Sequence, residues 1–126
     1  METYVHRNSV DGLEEIDLVV DDQVVSAITY AVLPTGQDKP AVIDLLYTPE
    51  EHRGKGYAGK LLKYLLRHLN EPVYLFVKGG TFVGSFYQRY GFKLVAIFGC
   101  YRLMAYSSRT REELEALWLR TTIAEM

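Results

Sequence analysis

The chain has 126 residues, 48% of them hydrophobic, and a formal net charge of −2 at pH 7. That length suits one domain spanning 1–126, and the charge gives no reason to expect a nucleic-acid or membrane-surface partner. The single cysteine, Cys100, excludes an internal disulfide, no Cys/His cluster has zinc spacing, and apolar runs such as Val73–Val77 are too short to cross a bilayer.

In chain order, Met1 to Val10 lacks the apolar segment of a secretory signal, so the expectation is a cytoplasmic domain without a structural metal. No convincing amphipathic helix lies between Met1 and Asp17. Glu15–Val20 and Gln23–Leu33 read as strands joined across Asp21-Asp22 in a hairpin of open turn type. Pro34 to Pro40 is a loop, and Ala41–Tyr47 a buried strand ended by Thr48-Pro49. In Gly56–Asn70 the spacing of Leu61, Leu62, Leu65, Leu66 and Leu69 predicts a helix with Lys60, Lys63, Arg67 and His68 on its wet side. Glu71-Pro72 stops it. Val73–Val77 is a strand ending at Gly79-Gly80. Thr81–Tyr90 fits a short helix, with Thr81 as cap and Gly91 closing it. Phe92–Phe98 and Tyr101–Tyr106 are strands around Gly99. A last helix starts near Thr110, with Leu114, Leu117 and Trp118 on one side. The order ββ(β)αβαββα defines a mixed α/β sheet flanked by helices.

The segment from Tyr47 to Leu62 carries the chemical signal. A strand ends, a glycine-rich loop follows, and a helix begins almost at once. Backbone N–H groups at a helix start have no acceptor within the helix, and the helix dipole adds partial positive charge, so such a loop cradles an anion. Gly54 and Gly56 allow close approach or unusual backbone angles, and Ala58 and Gly59 keep the first turn slim. Arg53, Lys55 and Lys60 add positive charge. The spacing fits neither a P-loop nor the dinucleotide fingerprint.

Arg53-Gly54-Lys55-Gly56-Tyr57-Ala58 resembles the Arg/Gln-x-x-Gly-x-Gly/Ala signature of the GNAT superfamily of acyl-CoA-dependent N-acyltransferases. One helix and one strand later, Phe86-Tyr87-Gln88-Arg89-Tyr90-Gly91-Phe92 resembles that family's aromatic-Tyr-x-x-x-Gly-Phe. The resemblance covers roughly Ala41 to Tyr106 and implies a GNAT-like fold with a shortened N-terminal helical region. It implies that acetyl-CoA is the cosubstrate, with its pyrophosphate on the backbone amides from Arg53 to Lys60. It implies, too, that Leu46, Tyr47 and Thr48 lie along the pantetheine arm, where one N–H could polarise the thioester carbonyl. One more residue separates Pro49 from Arg53 than in the commonest family pattern, which leaves the donor open. Tyr87 is the candidate general acid at the departing thiolate. Many relatives carry an asparagine where this chain has Gly80. Asp44, the acidic residue on the strand before the loop, is the candidate base, with water as the alternative.

Read this way, the protein transfers the acetyl group of acetyl-CoA to a primary amine by direct attack in a ternary complex. A coenzyme-binding sensor or interaction module without catalysis is the alternative, and a longer acyl group is a third reading. The short N-terminal segment suggests an acceptor side that is open or closed by a second subunit, suiting a protein amine or a large metabolite. Cys100 reads as a small hydrophobe between strands, and His6 and His68 as surface residues. The Leu114–Trp118 face reads as core or as a homodimer contact.

Overall fold

Period-two alternation in the first half of the chain and leucines at helical spacing after the glycine loop build a sheet and a helix over it. The computed structural model describes residues 1–8, 12–33, 39–80 and 83–125, with side chains through Arg120. Its strands are β1 (Glu2–Asn8), β2 (Glu14–Val20), β3 (Gln23–Val32), β4 (Ala41–Tyr47), β5 (Val73–Lys78), β6 (Lys93–Phe98) and β7 (Tyr101–Tyr106). The helices are α1 (Tyr57–His68), α2 (Val83–Arg89) and α3 (Arg111–Glu125), and a short 3-10 turn covers Glu50–His52. Along the hydrogen bonds the strand order is β1-β2-β3-β4-β5-β7-β6. This is the expected mixed α/β sheet with one strand more, β1. Thr81 and most of the Pro34–Pro40 loop lie outside the described residues, although Leu33 N–H donates to Pro40 O at 2.8 Å across that loop. Among the described residues no helix is long and apolar enough to cross a membrane.

The chain divides into two compact units. The first comprises Met1–Val32 and Ile43–Leu69. β1 and β2 pair antiparallel from Glu2↔Val20 to Asn8↔Glu14, and β2 pairs antiparallel with β3. Ile16, Leu18 and Ile28 are fully buried on the face covered by α1, which contributes Leu61, Leu62 and Leu65. Tyr4 fixes β1 to the same helix by stacking on Tyr64, ring centroids 4.0 Å apart. The β2–β3 turn is settled by its backbone: Asp21 and Asp22 have φ of 51° and 65°, the two left-handed residues of a type I′ turn. Aspartate tolerates that region but glycine adopts it without cost, so Asp22→Gly should raise the melting temperature by a few degrees. Calorimetric melting would show it, and an unchanged or lower value would contradict the turn assignment.

The second unit comprises Leu33–Val42 and Asn70–Met126. Ala41 and Val42 pair parallel with Val73 and Tyr74 of β5, which then pairs antiparallel with β7, and β7 with β6. Tyr74, Val95, Leu103, Ala105 and Leu114 form its core, with Trp118 packed against them. The Leu114–Trp118 side of α3 is therefore core. The phenol of Tyr74 donates to Leu114 O at 2.7 Å, which satisfies a polar group in that interior. α3 starts with a reciprocal cap: Glu113 N–H donates to Thr110 Oγ1 at 3.2 Å, and Thr110 N–H to Glu113 Oε1 at 3.3 Å. Gly91 closes α2 with φ of 96°, and a Cβ there would stand 3.1 Å from the Tyr106 ring, so both angle and space demand glycine. Cys100 differs from expectation. It sits exposed in the turn between β6 and β7, because that two-residue turn leaves nothing to pack over its thiol.

Candidate active site

β4 delivers the chain to the glycine loop, and two side chains fix the handover. Ser26, fully buried on β3, donates from Oγ to Tyr47 O at 3.0 Å and lies 3.0 Å from Thr48 Oγ1. A serine has one hydroxyl hydrogen, so Thr48 must supply the second bond. Arg53 Nε donates to Thr48 O at 2.8 Å, and its guanidinium lies 5.9 Å from the Tyr47 ring centre. The backbone between them turns through Glu50–His52, where Arg53 N–H reaches Glu50 O at 3.2 Å. Glu50 and Glu51 are exposed. Ser26 was not among the residues singled out from sequence, although a hydroxyl inside the apolar run Val24–Ala31 was the available signal. Ser26→Ala strands the Tyr47 carbonyl and should cost roughly 1–3 kcal/mol in urea unfolding. A loss within error would show that these bonds do not fix the strand end.

Beyond Arg53 the loop is built to leave its amides uncommitted. Gly54 and Gly56 have φ of 80° and 81°, and a Cβ on either would meet nothing within 4 Å. Glycine is thus required for the angle, and the space beside the loop is open. Gly56 occupies the N-cap of α1 and offers no side-chain cap. The first bond of the helix runs from Lys60 N–H to Gly56 O at 3.1 Å. The amides of Tyr57, Ala58 and Gly59 therefore have no acceptor within the helix, and its first turn holds no acidic side chain. This arrangement fits a diphosphate, whose oxygens accept several hydrogen bonds at the positive end of a helix dipole.

The cations around the loop do not play one part. Lys60, one turn into α1, has its ammonium 2.6 Å from Glu2 Oε2, and that hydrogen bond raises its pKa. Arg53 braces the backbone. Lys55 has no hydrogen bond or ion pair among the described residues. On β4, Asp44 is exposed and accepts a bond from Thr29 Oγ1 at 3.3 Å, so it is a solvated carboxylate steadied by β3. Tyr87, on α2 in the second unit, is only 7% exposed, and burial pushes its phenol up to about 12. Its ring meets Phe92 edge-on with centroids 5.4 Å apart, and Phe92 in turn meets Tyr106. The aromatic-Tyr-x-x-x-Gly-Phe motif is thus also a packing unit that holds Tyr87 in place. No group of three or more His, Cys, Asp or Glu side chains gathers for a metal among the described residues.

A mixed α/β sheet in which a strand runs through an uncapped, glycine-bent loop into a helix belongs to a class of anion-cradling folds. The Acetyltransferase (GNAT) domain matches residues 15–94, more than half of the chain, and the chain belongs to the GNAT acetyltransferase family. The match includes both the loop and the Tyr87 motif. No curated protein sequence matches. Among solved structures the chain is similar to PH1933 from Pyrococcus horikoshii, with a TM-score of 0.64 and 22% identity over 82% of this chain and 69% of that one. It is similar also to the PaiA N-acetyltransferase from Thermoplasma acidophilum in complex with coenzyme A, with a TM-score of 0.62 and 22% identity over 74% of this chain and 59% of that one. A third is Arabidopsis thaliana Naa50 in complex with the bisubstrate analogue CoA-Ac-MVNAL, with a TM-score of 0.64 and 19% identity over 74% of this chain and 72% of that one. The chain thus spans about three fifths of the PaiA length, and these likenesses show the fold.

Proposed function

We propose that the protein is an N-acetyltransferase that moves the acetyl group of acetyl-CoA to a primary amine by direct attack in a ternary complex. One observation carries this: the run of uncommitted amides at the start of α1, held open by Gly54 and Gly56, is shaped for the diphosphate of the coenzyme. The PaiA and Naa50 structures, which hold coenzyme A and a coenzyme-linked bisubstrate analogue, support the reading.

Acetyl-CoA supplies an activated thioester. The Gly54–Gly59 amides hold its diphosphate, and the Leu46–Thr48 strand end, fixed by Ser26 and Arg53, lies along its pantetheine arm. As the amine nitrogen bonds to the carbonyl carbon, the carbon–sulfur bond breaks and the amine loses a proton. Asp44 takes that proton directly or through water. In this reading Tyr87 serves the departing sulfur, and the magnitude of its shift decides how it acts. A phenol at about 12 is a far weaker acid than a thiol near 8.5. Full proton transfer from so weak an acid to the thiolate would be uphill. Tyr87 therefore keeps its proton and stabilises the leaving sulfur as a hydrogen-bond donor, while the proton that ends on sulfur comes from solvent. The products are an amide and the free thiol.

The test is a thiol-release assay with acetyl-CoA and a panel of amines: amino acids, diamines, and peptides with free N-termini or lysines. At least one amine should accelerate release and gain an acetyl group by mass. Coenzyme binding without acetylation of any amine in the panel would leave a binding module in place of an enzyme. In the same assay Asp44→Asn should lower kcat by about tenfold, less than a typical general base contributes, because water can replace it. A rate equal to that of the native protein would make water the base.

A further inference from the structure

Within the second unit a cleft of about 110 Å³ lies between α2 and the β5–β7–β6 ladder. Its floor is apolar: Val77 and Met104 are buried and Leu94 is half-buried. The register explains why they meet, since Val77 pairs with Arg102, and Leu94 pairs with Met104, so all four project from one face of the sheet. Its rim is polar and cationic. Arg102 comes from β7, and Ser85 and Gln88 from α2. Among the described residues no acidic one lines it, in a chain whose net charge is negative. Gly84 lines the cleft without a side chain, its would-be Cβ 3.9 Å from Val77 Cγ2, so a longer side chain there would enter the space.

The geometry points to a binding site for a short-chain carboxylate. An apolar floor beneath convergent polar groups is the form of a small-molecule site. Arg102, with Gln88 and Ser85 beside it, offers the donors that a carboxylate needs, and the guanidinium fork suits two oxygens at once. The volume has room for a ligand of a few heavy atoms. A free phosphate would press unsatisfied oxygens against Val77, Leu94 and Met104, whereas an alkyl tail buries there favourably. The carboxylate could belong to the amine acceptor or to a separate ligand. Only the first of these rests on the acetyltransferase reading.

The experiment titrates sodium butyrate into isotopically labelled protein and follows backbone amide resonances, with butylamine as the control of like shape and opposite charge. Butyrate should move the Gly80, Gly84 and Gln88 amides saturably, without acetyl-CoA, and butylamine should not. Arg102→Gln should weaken binding at least tenfold, and Gly84→Leu, which fills the cleft and leaves every charge in place, should abolish it. Absence of saturable shifts, equal binding by Arg102→Gln, or equal binding of butylamine would each overturn the proposal. The source of the carboxylate is read by comparing 4-aminobutyrate with butylamine as acetyl acceptors. If Arg102→Gln raises KM for the first alone, the carboxylate is the acceptor's own. If KM changes for neither while butyrate still binds, it belongs to a separate ligand. Because butyrate binding needs no coenzyme, its failure and the failure of acetyl transfer are told apart.

Discussion

Tyr87→Phe is expected to lower kcat by about 100-fold while the dissociation constant for acetyl-CoA stays within twofold. The magnitude follows from the role: one donor to a charge that develops as the bond breaks contributes about 10²–10³ in rate. The substitution keeps the aromatic ring that meets Phe86 and Phe92 edge-on and removes only the hydroxyl. The pH profile supplies a second readout. A phenol raised to about 12 by burial stays protonated through the working range, so the native rate should rise with pH as the acceptor amine deprotonates, with no falling limb from Tyr87 below about pH 10. A falling limb near pH 8–9 that vanishes in Tyr87→Phe would show that the phenol ionises in the complex and transfers its proton. The same shift bears on stability. The folded pKa lies above the unfolded one, so the contribution of the buried phenol is complete below about pH 10 and is lost as pH rises toward about 12. Tyr87→Phe should accordingly flatten the loss of stability over that alkaline window.

Gly56→Glu should weaken acetyl-CoA binding at least 100-fold, and Gly56→Ala by no more than about tenfold. The pair separates two effects that a single variant would merge. Both force a side chain into a φ of 81°, at a cost of about 1–2 kcal/mol in folding, and neither Cβ meets anything within 4 Å. Strain is therefore common to the two, whereas only glutamate places a negative charge where the diphosphate should sit, against the open amides of Tyr57, Ala58 and Gly59. Equal weakening by alanine and glutamate would mean that loop conformation, and not charge at the cradle, governs binding. Circular dichroism melts of both variants fix the folding term independently.

Local signals mark the elements that position the loop. The leucines of α1 stand at a spacing that only a helix brings to one face, and Leu61, Leu62 and Leu65 are fully buried there. Gly91 announced the end of α2 because a left-handed residue has few occupants besides glycine. What escaped was set by partners distant in the chain. β1 carries polar residues at most positions, and its strand character comes from pairing with β2 and from Tyr4 lying on Tyr64. Lys60 reads as a coenzyme cation beside the glycine loop, yet its ammonium lies against Glu2, 58 residues earlier. Asp44 reads as an acid within a buried strand, and the fold leaves it exposed, because the second half of β4 loses the burial of its first residues. Ser26 was hidden for the opposite reason, as a small hydroxyl in a largely apolar strand whose partners, Tyr47 and Thr48, lie more than twenty residues on.

Coenzyme binding by the glycine loop is tested most directly by calorimetric titration of the native protein with acetyl-CoA. Saturable binding of one molecule per chain, with a dissociation constant between about 1 μM and 1 mM, is the predicted result. The absence of binding heat across several temperatures would contradict it, and would reduce the uncapped start of α1 to a strand-to-helix turn.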